Sequence, residues 1–201
     1  MCQLAAGTRI RSYFDLLPTF DATMQVFKRW PYFFTALPLV LTLAQRRDYR
    51  QLLDAYHQGE DLVIPTQFNL NLVQLALEFH DDGGFPTITE LQSIARVVIA
   101  NVISVPLQMS GSFCGSMQVL EFEVGVMGRL PCKLNHSRRA NTRLRWCDGV
   151  DADPAKPRVH PETGAIVLFV LIQVDTLVRC GEELTFDYGM SAQTLINGTH
   201  F

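Results

Sequence analysis

Gly181-Glu182-Glu183-Leu184-Thr185-Phe186-Asp187-Tyr188-Gly189 lies near the end of the chain, and upstream of it stands Asn135-His136-Ser137. Taken alone, neither segment says much. Phe186 and Tyr188 can simply alternate across a strand, and an Asn-His pair is most often a turn. The short polar side chains after Pro131 describe a tight loop whose amides and hydroxyls are free to bond a ligand. The order of the two segments is more informative than either of them, and it directs attention to what surrounds them.

Around these segments the second half of the chain is β-rich. Leu120, Phe122, Val124 and Val126 alternate with Glu121 and Glu123, so Met117 to Met127 reads as a half-buried strand. Thr142 to Trp146 is a second short strand. Ala165 to Val174, a continuous β-branched and aromatic run, suits a strand buried on both faces. Between them Gly149 to Pro161, rich in Asp and Pro, is an exposed loop.

The first half has the spacing of helices, and residues 1 to 80 read as mainly helical. Asp21 can cap a segment through Trp30, and Pro31 and Pro38 break the apolar run that follows. Arg46 to His57 places Tyr49, Leu52, Leu53 and Tyr56 on one face, and Phe68 to Phe79 repeats the pattern up to a turn at Asp81-Asp82-Gly83-Gly84. Thr87 and Glu90 then form a capping box ahead of a long apolar helix running toward Ile103. The sequence therefore predicts an α+β fold, with a helical region over 1–110 and a β region over 111–201.

Composition narrows the class. The chain has 201 residues, 48% of them hydrophobic and 18% charged, which suits a folded domain with a real core. A net charge of −3 gives no global basic field for nucleic acid. Arg129, Lys133, Arg138, Arg139, Arg143 and Arg145 form a local basic cluster, either a solvated loop and strand edge or a surface for an acidic partner. Five cysteines, odd in number and without CxxC spacing, argue against a disulfide framework or zinc site and for a reducing, intracellular compartment. That compartment is cytoplasmic or nuclear, with organellar targeting left open by Arg9 and Arg11 ahead of Asp15. The apolar run from Trp30 to Ala44 is too short to span a bilayer.

Asn135-His136-Ser137 followed by Gly181-Glu182-Glu183-Leu184-Thr185-Phe186-Asp187-Tyr188 resembles the two C-terminal signatures of the SET domain, the protein-lysine methyltransferase fold. The tail from Tyr188 to Phe201, with Trp30-Pro31-Tyr32 and Leu37-Pro38 before it, is similar to the Rubisco-methyltransferase-like subclass. The resemblance spans roughly residues 26 to 201 and is most specific at its C-terminal end. It implies a β-rich SET fold in which residues 1–110 correspond to a helical insert. It also implies a loop carrying Asn135 and His136 that threads under the C-terminal segment.

What the resemblance implies for chemistry is methyl transfer from S-adenosylmethionine to a lysine amine on a protein substrate. Tyr188 would be catalytic. Asn135 and His136 would hold the adenosyl group, and Phe201 would pack on the adenine. Asn101 would stand where the subclass places an arginine for the cofactor carboxylate, offering a neutral bond in place of a charge-assisted one. A free lysine, with a pKa of about 10.4, must lose a proton and be held in line, which a tyrosine hydroxyl in a narrow channel can assist. Its ring face can also contact the cationic ammonium.

The family pattern is interrupted at named places. Asn-His-Ser-Cys-x-Pro-Asn is here Asn135-His136-Ser137-Arg138-Arg139-Ala140-Asn141, and Cys132 stands where the subclass has an aspartate. Met1 to Phe20 contains Gly7 and no Gly-x-Gly turn. Two readings stay open on the sequence: the enzyme, or a catalytically inactive SET-fold scaffold serving as a subunit of a larger protein or ribonucleoprotein assembly.

Overall fold

The structure, a computed structural model, describes residues 3–29, 36–80, 83–113, 116–146 and 169–187. It is an α+β protein. Trp30-Pro31-Tyr32, Asp81-Asp82, the loop Gly149 to Pro161, the start of the Ala165 to Val174 run, Tyr188 and Phe201 lie outside the described residues.

Two compact units emerge. Among the described residues, one comprises residues 16–127 and the other joins the N-terminal stretch up to residue 15 to the residues from 128 onward. The N-terminal stretch is not helical, as its position in the first half of the chain suggested. Gln3–Leu4 (β1) and Arg9–Tyr13 (β2) are strands of the second unit. Their partners, Val178–Arg179 and Phe169–Val174, lie at the far end of the sequence, so no local periodicity reveals them.

The helical unit is built on apolar stripes. Helix α1 (Phe20–Arg29) is capped by Thr19 rather than by Asp21: the Thr19 hydroxyl accepts from the Ala22 amide at 3.1 Å. Asp21 sits inside the first turn, where its charge meets the positive end of the helix dipole. Helix α2 (Leu37–Ala44) is buried on every side, and Pro38 falls in its first turn, where a missing amide costs nothing, so it starts the helix instead of breaking it. Leu37, Leu39, Leu41 and Leu43 are at most 1% exposed. Each such side chain contributes about 1.5–3 kcal/mol through its removal from water.

Helix α3 (Tyr49–Leu53) is shorter than the periodicity of Arg46 to His57 suggested, because the chain turns into a bonded loop before His57. Helix α4 (Thr66–Glu78) and helix α5 (Ile88–Asn101) follow the expected spacing. α5 opens on the full capping box, with Thr87 and Glu90 each bonding the other's backbone amide. Past α5 the chain forms a hairpin, β3 (Ile103–Phe113) with β4 (Ser116–Val126), in register from Ile103↔Val126 to Phe113↔Ser116. β4 follows the alternation in the sequence. β3 begins where the expected helix running toward Ile103 ends, and Pro106 is tolerated there because, among the described residues, β3 pairs with β4 alone.

In the strand unit, β1 pairs with β8 (Val178–Arg179), and a five-stranded sheet runs in the order β2, β7 (Phe169–Val174), β6 (Thr142–Trp146), β9 (Thr185–Phe186), β5 (Asn135–His136). β7 pairs antiparallel with both β2 and β6, and Leu171, Ile172 and Val174 form its buried centre. β9 pairs parallel with β5 on one side and with β6 on the other.

Candidate functional site

Two of the residues singled out in the sequence, Asn135 and His136, pair with β9. Parallel neighbours normally need a crossover of about a dozen residues or more. Here β5 and β6 are joined by the short connection 137–141, and β9, from far along the chain, lies in the sheet between them. The connection therefore passes across β9. Such threading is rare in proteins, and it has to be held by specific bonds because the strands are too short to hold it alone.

Asn141 supplies those bonds. Its carboxamide donates to the Glu183 carbonyl at 2.8 Å and accepts from the Thr185 amide at 2.9 Å, so one side chain imitates a missing strand neighbour. The Thr142 hydroxyl donates to the Thr185 carbonyl at 2.7 Å. The Ser137 amide donates to the Phe186 carbonyl at 3.2 Å, and the Ser137 hydroxyl accepts from the Arg139 amide at 3.1 Å, rounding the connection. Thr142 is 2% exposed, so its bond lies at the inner end of the site.

The glycine-glutamate turn ahead of β9 has an equally local cause. Gly181 has φ +84°, a left-handed conformation that favours glycine. The Glu182 carboxylate accepts from the Arg179 amide at 3.0 Å, while the Glu182 amide donates to the Arg179 carbonyl at 3.0 Å. Glu183 reaches across the sheet and accepts from the Asn135 carboxamide. A turn of the same hand occurs at the partner of β8: β1 leads into Gly7, φ +86°, before β2.

Asn135 and His136 form a two-residue strand rather than the loop expected of them, because β9 offers them a parallel ladder. Both are exposed on the last strand of the sheet. His136 Nδ1 lies 3.7 Å from the Asp187 carboxylate, at the end of β9 immediately before Tyr188. The segment leading to Tyr188, Asn135 and His136 are thus brought together; Tyr188 itself and Phe201 lie outside the described residues.

Asn101 ends α5 in the helical unit. It is 5% exposed, and its carboxamide donates to the His57 and Val97 carbonyls at 2.7 Å each and accepts from the His57 amide at 3.2 Å. Its polar atoms close the polypeptide around His57. Cys132, which stands where the resemblance implied an aspartate, is no substitute for a charge. Burial pushes its thiol up to about 12, against the bond it accepts from the Gly128 amide at 3.4 Å, so it is neutral at physiological pH.

Five of the six residues of the basic cluster separate into two groups, and the Arg145 side chain lies outside what is described. Arg129 faces Asp15, its Nε 3.7 Å from the carboxylate and its amide donating at 3.0 Å; Arg143 pairs with Asp175 at 2.8 Å. These charges are answered within the unit. Lys133, Arg138 and Arg139 are exposed, flanking β5 along the chain.

Asn141 and Thr142 are the residues that motif reading passed over. The signal was present, since Asn141 completes the Asn-His-Ser-Arg-Arg-Ala-Asn stretch. Its importance comes from bonds to a segment distant in sequence, which spacing does not display. No protein-family model matches the chain, and none of the curated proteins does. Among the described residues no helix is long and apolar enough to cross a membrane.

Proposed function

We propose that the chain is a protein-lysine N-methyltransferase of the SET type that uses S-adenosylmethionine. The observation that carries this reading is the position of β9 between β5 and β6. The resemblance implies a threaded loop at these residues, and the short connection 137–141 passing across Thr185–Phe186 supports it independently of the motif letters. The threading sets the Asn-His pair beside the strand that leads into Tyr188.

The donor supplies a methyl group on a sulfonium. Asn135 and His136 fit it in being exposed, polar and on the outermost strand of the sheet, where a ligand can reach side chain and backbone together. Glu183 orients the Asn135 carboxamide, and Asp187 faces the His136 ring. Tyr188 would orient the lysine nitrogen through its hydroxyl, and the site must take up or release the proton that the amine carries at neutral pH.

A specific observation favours the scaffold as a second reading. Asn101 bonds the His57 backbone, so the position linked to the cofactor carboxylate by resemblance also serves the fold, and Cys132 departs from the subclass aspartate with a neutral thiol. A labelled-donor assay on a whole-protein lysate, read as methyllysine by mass spectrometry, separates the two. The enzyme transfers label, and Tyr188→Phe lowers the rate by about a hundredfold or more. No transfer leaves the scaffold, and equal transfer by Tyr188→Phe would take the catalytic role away from Tyr188.

A further inference from the structure

In the helical unit, the loop after α3 is fixed against α5 with unusual care. Asn101 bonds both backbone groups of His57, and the Gly59 amide donates to His57 Nδ1 at 3.1 Å. Gly59 has φ +64°, and a Cβ there would stand 2.7 Å from the Arg96 carbonyl, so the loop approaches α5 as closely as a backbone can. The Gln58 carboxamide donates to the Leu53 and Tyr56 carbonyls, and the Leu62 amide donates to the Gly59 carbonyl at 2.9 Å.

The loop and α5 together wall a cleft of about 270 Å³ lined by Gln58, Glu60, Ser93, Arg96 and Val97. Two features of its chemistry are unresolved within the fold. The Arg96 Nε is buried with no hydrogen-bond partner, which is costly for a guanidinium that cannot lose its proton. Glu60 lines the same cleft, yet no ion pair joins it to Arg96. Opposite charges that share a cleft without meeting leave room for a molecule carrying both. The other lining groups offer acceptors: the Gln58 Oε1, since its amide hydrogens go to the backbone, and the Ser93 hydroxyl oxygen, since its proton goes to the Thr89 carbonyl at 3.1 Å.

We infer that this cleft binds a small amino-carboxylate zwitterion, its carboxylate on Arg96 and its ammonium toward Glu60 and the Ser93 and Gln58 oxygens. The site is separate from the β9 region and does not rest on the methyltransferase reading. Its volume lies just below that of pockets for drug-sized ligands and suits a ligand of amino-acid size.

Glycine is the minimal probe, titrated into the full chain by NMR, with acetate and methylammonium as single-charge controls. Glycine saturates the cleft, each control binds about tenfold more weakly or worse, and Arg96→Gln and Glu60→Gln each cost at least about tenfold in affinity. Glu60 is exposed, so Glu60→Gln keeps the test valid if Arg96→Gln fails to fold. Non-saturating glycine shifts, meaning a cleft filled by water, or unchanged affinity in folded Glu60→Gln, would overturn the proposal. Addition of S-adenosylmethionine leaves glycine bound; displacement would give the cleft to the methyl donor and overturn it as a separate site.

Discussion

The helical unit and the strand unit are stabilised by different means. In residues 16–127 the decisive groups are apolar and near one another in sequence: α2 is buried throughout, and α5 presents Leu91, Ile94, Ala95 and Val98 to the core. In residues 1–15 with 128–189 the decisive groups are polar and far apart. Asn141 holds Glu183 and Thr185, Asn135 holds Glu183, and Asp15 holds Arg129. Non-directional packing tolerates small errors of placement, whereas a carboxamide bridging two backbone groups does not. The candidate site lies in the unit that depends on direction.

That contrast breaks most visibly if the two units respond alike to substitution. Leu41→Ala leaves a hole in a side chain that is fully buried and should cost about 3 kcal/mol or more in urea unfolding. A smaller loss would mean that α2 repacks freely. Asn141→Ala leaves the Glu183 carbonyl and Thr185 amide without their partner, for about 2 kcal/mol. Its effect should be local: hydrogen exchange quickens at Ser137 and Thr185 while the α2 amides stay protected. Equal acceleration in α2 would show that the two units open together.

Thr19→Ala removes the cap of α1 and should cost about 1 kcal/mol, against little change for Asp21→Ala. The reverse order would restore Asp21 as the cap. The smallest effect belongs to Glu90, whose carboxyl is held below its ordinary value first by the Thr87 backbone amide and then by the Thr87 hydroxyl, with Arg50 and Tyr49 adding to it. A depressed carboxylate stabilises the fold above its unfolded pKa, and that stability fades as pH falls through the folded value. Glu90→Gln should therefore flatten the acid limb of the stability curve and leave pH 7 to 8 level.

The same division explains what was legible in the sequence. The Thr87–Glu90 box, α4 and the strand Thr142–Trp146 are written in neighbouring residues, and they stand where the spacing placed them. β2 could not be read, because Arg9–Tyr13 is extended through pairing with Phe169–Val174. Asp21 and Thr19 are both capping residues by type, and geometry alone chooses between them. At the site, the order of the two motifs was visible, whereas the strand character of Asn135–His136 was not, since β9 imposes it. At Asn101 the residue type was visible, whereas its bonds to the His57 and Val97 backbone come from packing that spacing does not display.

The most direct test of the methyltransferase reading is a calorimetric titration of the folded chain with S-adenosylmethionine up to millimolar concentration. Saturable heat is expected, and it should be weakened by replacing Asn135 or His136 with alanine. No heat from protein whose circular dichroism reports an intact fold would contradict it.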